Sequence, residues 1–280
     1  MNKKKYNKLV SVVFLLSVLT LTGFSAENVV QSKWTTQPLT VDGLDDEWKG
    51  DEMASEKKVQ VDFAFRNDAQ NMYVLFIFKD PKFMSSINAT GITLYYNTEG
   101  KKKKDHAFHF IKKKVTGEEL LAYLEKRGEV LTEQQMQSII PTNTYSVYMT
   151  ERTGKKDKKI SITEPIPADL NPGFKIKKKG DGFIYEFRVP LIKSEISPRG
   201  MGIEPGQSLK IGFEWGGMTE ALMKQLRAQP SGRGDVSTES RPGSVIDSSR
   251  GGATGAPRSA SGKMPKKHAF WIDIKLAQDQ

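Results

Sequence analysis

Trp271 is the residue best placed to do chemistry at a surface. It falls in a run, Phe270 to Leu276, where Phe270, Ile272, Ile274 and Leu276 recur at every second position, leaving Trp271 with Asp273 and Lys275 on the opposite, polar face. An aromatic ring set among charged side chains can stack on the apolar face of a ligand whose rim carries hydroxyls. Glu186 and Arg188 take the polar face of the run Phe183 to Val189, and Glu214 takes that of Leu209 to Trp215. Beside Trp271 and Asp273 they would line a polar groove; the alternative is a cross-strand ion-pair ladder on a wet face. Glycoside hydrolysis needs two carboxylates at a defined separation, and no pair here is singled out, so the expectation is a binding module and not an enzyme.

The other tryptophans read as packing residues. Trp215 is in phase with Leu209, Ile211 and Phe213, Trp48 plugs the end of a core, and Trp34 packs across an edge. The three histidines supply no metal site by spacing, since His106 and His109 point to opposite faces of a strand and His268 lies far along the chain. Cysteine is absent, which removes disulfides, thiolate chemistry and Cys-ligated metals. No phosphate loop, nucleophile elbow or zinc spacing occurs. Asp42, Asp45 and Asp46, with Glu47 beside them, put carboxylates around one turn and form a candidate calcium site, capping of the turn being the competing account.

Stepping outward, residues 2–8 carry four lysines and residues 9–21 are almost wholly apolar or hydroxylic. That order predicts an export signal over residues 1–26, too short to remain as a stable membrane span, and a periplasmic or extracellular mature protein of residues 27–280. The formal net charge of +10 includes those four lysines. Further lysine runs at 101–104, 112–114, 155–159 and 177–179 fall at strand ends. They read as solvated tips, or as a basic surface for an anionic partner. No aromatics are interleaved with them, so nucleic acid is not expected.

The positioning elements are strands. Val59 to Arg66 alternates with period 2, Met72 to Phe78 is apolar on both faces, and the segments 91–97 and 106–111 flank a charged hairpin tip. Thr116 with Glu119 and Thr132 with Gln135 form capping boxes, predicting a helical insertion over about 116–140. A short helix is expected over 220–228. Residues 229–265, rich in Gly, Ser, Pro and Arg with few aliphatics, predict a disordered loop before the closing strand.

Four stretches in order carry a family resemblance. Leu39 to Trp48 contains Val41-Asp42-Gly43 followed by acidic residues and Trp48. Val61 to Asp80 pairs two strands through a short turn and Met72-Tyr73-Val74. Asp181 to Leu191 includes Gly182, Tyr185, Glu186 and Val189-Pro190-Leu191, and Trp271 to Leu276 closes the chain. Together they resemble the family 9 carbohydrate-binding module-like, or DOMON-like, β-sandwiches. The resemblance implies an all-β, antiparallel jelly-roll-type sandwich in one domain, with saccharide binding through aromatic rings. The lysine-rich tips and the 229–265 loop give one alternative, an envelope scaffold that binds a protein partner or anionic surface with no sugar site. The resemblance itself implies another, a haem-binding DOMON domain using His and Met. Structural calcium, carried by some relatives, is the one ion it suggests.

Overall fold

The computed structural model describes residues 29–157, 166–217 and 266–279. The expected export signal, the expected helix at 220–228 and the expected loop at 229–265 fall outside the described residues. Twelve strands run along the chain: β1 (Val29–Gln31), β2 (Lys33–Trp34), β3 (Ala54–Glu56), β4 (Val61–Asn67), β5 (Asn71–Phe78), β6 (Ile92–Asn97), β7 (His106–Thr116), β8 (Thr144–Arg152), β9 (Gly173–Lys179), β10 (Gly182–Pro190), β11 (Ser208–Gly216) and β12 (Lys267–Lys275). Among the described residues three α-helices interrupt them, α1 (Lys82–Thr90), α2 (Gly117–Lys126) and α3 (Glu133–Ser138), with a single 3-10 turn at Ala168–Leu170.

The strands form two sheets, an all-β sandwich as the alternating pattern predicts. Sheet A has the order β1-β12-β11-β6-β7-β8 and sheet B the order β2-β4-β5-β10-β9, with β3 on the free edge of β4. Pairing is antiparallel except for β1 on β12 and β2 on β4. The first strand therefore changes sheets at Ser32. There Ser32 N donates to the Lys275 carbonyl at 3.0 Å, Ala277 N donates to Ser32 Oγ at 2.8 Å and to Asn67 Oδ1 at 2.9 Å, and Asn67 Nδ2 returns a bond to the Ala277 carbonyl.

Between the sheets lies an aromatic core. Phe76 meets Phe213 across the sandwich edge to face, with centroids 4.4 Å apart, and Phe78 lies parallel to Phe183 at 4.9 Å. Each such pair adds about 0.5–1.5 kcal/mol to the area it buries. The run Met72–Phe78 is buried on both faces because a second apolar cluster, Leu39, Trp48, Ala64, Tyr73, Leu75 and Ile184, covers the outer face of sheet B. The segment between β2 and β3 supplies Leu39 and Trp48 to that cover.

Both capping boxes form as the sequence predicts, Thr116 with Glu119 opening α2 and Thr132 with Gln135 opening α3. Helix α1 was not legible in advance: Pro81 at its start offers no side-chain cap, and only Phe83, Ile87 and Thr90 are buried. It closes one end of the core, where Phe83 packs edge on to Trp215. Gly91 ends α1 with φ of 70°, and a Cβ there would lie 2.4 Å from the Phe110 carbonyl oxygen. Among the described residues no helix is long and apolar enough to cross a membrane.

Candidate functional site

The outer face of sheet A is built from the outward positions of β12, β11 and β6. Gly212 pairs with Trp271 on one side and Tyr95 on the other, so three adjacent strands present Trp, Gly and Tyr in one row. With no side chain at 212, the indole of Trp271 lies down on the strand; a Cβ on Gly212 would come within 2.7 Å of its ring-fusion atoms. The Tyr95 ring is near-parallel to it, at 23° with centroids 6.1 Å apart. The two rings form a flat, half-buried aromatic patch on an otherwise polar sheet face.

Charges border the patch in matched pairs. Glu214, two residues from Gly212 on the same face, accepts from Lys104, from Lys267 at 2.8 Å and from Tyr95 Oη at 3.3 Å. Burial opposes ionisation of Glu214, but the two ammonium groups outweigh it and hold its pKa below the ordinary value. Burial and the Glu214 charge push Tyr95 up to about 12, so its phenol stays protonated. Lys104 Nζ also sits 4.8 Å from the centre of the Tyr95 ring. On the other side of the row, Lys210 Nζ donates to Asp273 Oδ2 at 2.7 Å. Thr93 Oγ1 and His109 Nδ1 share a hydrogen bond of 3.0 Å one position beyond Tyr95.

Of the five ligand-binding residues read from the sequence, Trp271, Asp273 and Glu214 thus share this face. Glu186 and Arg188 do not join them, because β10 belongs to sheet B. Glu186 is fully buried under the 42–48 turn. Its Oε2 accepts from Asp42 N at 2.9 Å and Gly43 N at 3.0 Å, and its Oε1 accepts from Trp48 Nε1 at 2.9 Å. Burial raises its pKa, and the three N–H donors pull against that. Arg188 is anchored on the carbonyls of Asn171 and Ala168. The expected single groove is therefore split between opposite faces of the sandwich, and the ion-pair alternative describes the charges bordering the Trp271 patch.

The turn carboxylates go separate ways. Asp42 Oδ1 accepts from Leu44 N at 2.7 Å, Asp45 pairs with Lys179, and Asp46 pairs with Lys49 at 2.8 Å. Side chains spread over three partners do not present the converging oxygens calcium requires. Among the described residues no group of three His, Asp or Glu is arranged to hold a metal ion. The histidines are dispersed as well: His106 faces Asp157 at 2.8 Å, His109 is bonded to Thr93, and His268 stacks on Trp215.

Sequence reasoning missed Tyr95 and Gly212. The alternation in β6 and β11 carried their outward direction, but only the strand order β12-β11-β6 makes them neighbours of Trp271.

Comparison with protein-family models gives no match, and comparison with curated proteins gives none. Two solved structures of a family 9 carbohydrate-binding module from Caldicellulosiruptor kristjanssonii are similar in part. The one in complex with glucose is 12% identical over 69% of this chain and 80% of that chain, with a TM-score of 0.34. The one in complex with cellotriose is 13% identical over 69% of this chain and 78% of that chain, with a TM-score of 0.33.

Proposed function

We propose that the protein is an exported, non-catalytic module that binds a neutral saccharide on the outer face of sheet A. The observation that supports this reading is the row Tyr95, Gly212, Trp271, which lays an indole flat on a polar sheet face. A pyranose presents one face of C–H groups, which a flat ring accepts, and a rim of hydroxyls, which charged side chains hydrogen-bond. Glu214 and Asp273 accept from such hydroxyls, while Lys104 and Lys267 donate to them, and Lys210 fixes Asp273 from below. Lys104, lying over Tyr95, gives way to the incoming ring and remains tethered by Glu214. A glutamate held ionised by two ammonium groups is a hydrogen-bond acceptor and a poor proton donor, which fits binding better than hydrolysis.

The test is a glycan-array screen of residues 27–280 at low and moderate salt, followed by calorimetry on the strongest neutral hit. Binding is expected to resist salt and to fall at least tenfold in Trp271→Ala, and in Gly212→Val, whose new side chain lifts the indole off the strand. Binding only to anionic glycans at low salt, unaffected by Trp271→Ala, would overturn the reading in favour of electrostatic attachment through the lysines.

A further inference from the structure

A second cleft, of about 680 Å³, opens on the far side of the sandwich between the 38–41 segment, the end of α2, and the adjoining edges β8 and β9. Its walls carry Arg127, Arg188 and Lys175 against one carboxylate, Glu129. Buried cations are ordinarily paired with carboxylates, because desolvating an uncompensated charge is costly. Here the guanidinium groups rest mainly on neutral oxygens. Arg188 Nε and Nη2 reach the carbonyls of Asn171 and Ala168, and among the described residues Nη1 has no partner. Behind it, Arg199 donates to Asn171 Oδ1 at 2.7 Å and to the Lys126 carbonyl. Arg127 donates to Tyr123 Oη and the Pro172 carbonyl. Its Nε lies 2.7 Å from Glu129 Oε1 but is not aligned for a hydrogen bond, so that pair is held by charge alone. Asp169 and Asp68 act on Arg188 through space and are not bonded to it.

The space beside Arg188 is also free. Gly173 is its register partner on β9, and a Cβ built there would meet nothing within 4 Å. The omitted side chain leaves open floor at the position paired with Arg188. At the rim, Lys112 and Lys175 bring ammonium groups 5.2 and 4.6 Å from the Tyr148 ring, and the hydroxyl-bearing residues Thr40 and Ser146 complete the polar lining.

We infer that this cleft is a binding site for a carboxylate-bearing saccharide of one or two rings, its carboxylate on Arg188 Nη1 and its hydroxyls on the Thr40 and Ser146 side. A guanidinium anchored at two positions and open at a third is pre-organised for a carboxylate. The volume lies in the range of small-ligand pockets. This site is separate from the sheet A face and takes a ligand of different charge.

Calorimetry with digalacturonate as the probe, and with cellobiose and inorganic sulfate as neutral and non-saccharide controls, tests it on the full exported chain. Digalacturonate is expected to bind and the two controls not to at the same concentration. Gly173→Leu, whose Cβ would meet nothing within 4 Å and whose branches extend over the floor, is expected to abolish that binding while leaving the neutral-glycan array response as in the wild type. Arg188→Gln is expected to weaken it at least tenfold, as loss of a charged hydrogen bond does. Equal affinity for cellobiose or for sulfate, no binding of digalacturonate, or undiminished binding in a folded Gly173→Leu would each overturn the proposal. None of those outcomes depends on Trp271, so the sheet A reading stands or falls by itself.

Discussion

The outer faces of the two sheets start from the same sequence pattern and end as opposites. In β11 and β10 alike, a glutamate sits at an outward position between buried apolar residues. On sheet A, Glu214 stays at the rim of solvent with two lysines for company. On sheet B, the chain between β2 and β3 folds back over the face, and Glu186 becomes the buried post to which the 42–48 turn is tied. Alternation decides which way a strand residue points, and what lies beyond that face decides whether it meets water, a cation or a row of N–H donors. The same kind of side chain is thereby an ion-paired acceptor at the surface of one face and a buried structural anchor on the other.

The contrast can be broken most directly at Glu186. Glu186→Leu strands the Trp48 indole N–H and two backbone N–H groups without an acceptor, at a cost of about 3–5 kcal/mol. Urea unfolding should show an unchanged slope and a midpoint lowered by that loss divided by the slope. A loss below about 1 kcal/mol would mean that the turn is held by its apolar residues alone.

A second experiment sharpens the comparison through opposite pH dependences. Glu186 has its folded pKa raised, so its contribution to stability is full below its unfolded value of about 4.5 and is lost as pH rises through the folded pKa. Glu214 has its folded pKa lowered, so its contribution is present above about 4.5 and is lost as pH falls through the folded pKa. Relative to the wild type, Glu186→Gln should gain stability as pH climbs from 4 to 7, and Glu214→Gln should lose it. Thermal melts across that range read both signs, and parallel curves would erase the distinction.

The smallest effect belongs to Glu214→Gln at neutral pH. Exposed and half-exposed ion pairs contribute little, so the loss should stay under about 1 kcal/mol and shrink further at high salt. A larger, salt-insensitive loss would show that the polar face of sheet A is structural in the manner of sheet B.

Much of the scaffold could be read without coordinates, for reasons that are local. Period-2 alternation in Val61–Arg66 and Phe183–Val189, the doubly apolar Met72–Phe78 and two capping boxes are each written within a dozen residues. Helix α1 escaped because Ser, Asn and Thr are weak helix formers and its start lacks a side-chain cap; packing of Phe83 and Ile87 on the open end of the core holds it. The site was legible in part. The outward turn of Trp271 follows from its neighbours, whereas its partners Tyr95 and Gly212 lie 176 and 59 positions away and meet it only through strand order. Glu186 and Glu214 could not be told apart, because nothing within either strand says which sheet face the 35–53 segment will cover.

The crossing at Ser32 carries a consequence for when this protein can fold. Among the described residues strand β1 pairs only with β12, and the Ser32–Asn67–Ala277 bonds lock the first strand, the fourth strand and the C-terminal segment together. Contacts of such sequence separation form late, since the whole intervening loop must be closed before they return any energy. β1 cannot complete the edge of sheet A until β12 has been delivered, whereas β2 can pair with β4 in sheet B without it. The edge that joins the two ends of this sandwich is thus the last part of sheet A to close, after strands β4 to β11 have paired among themselves.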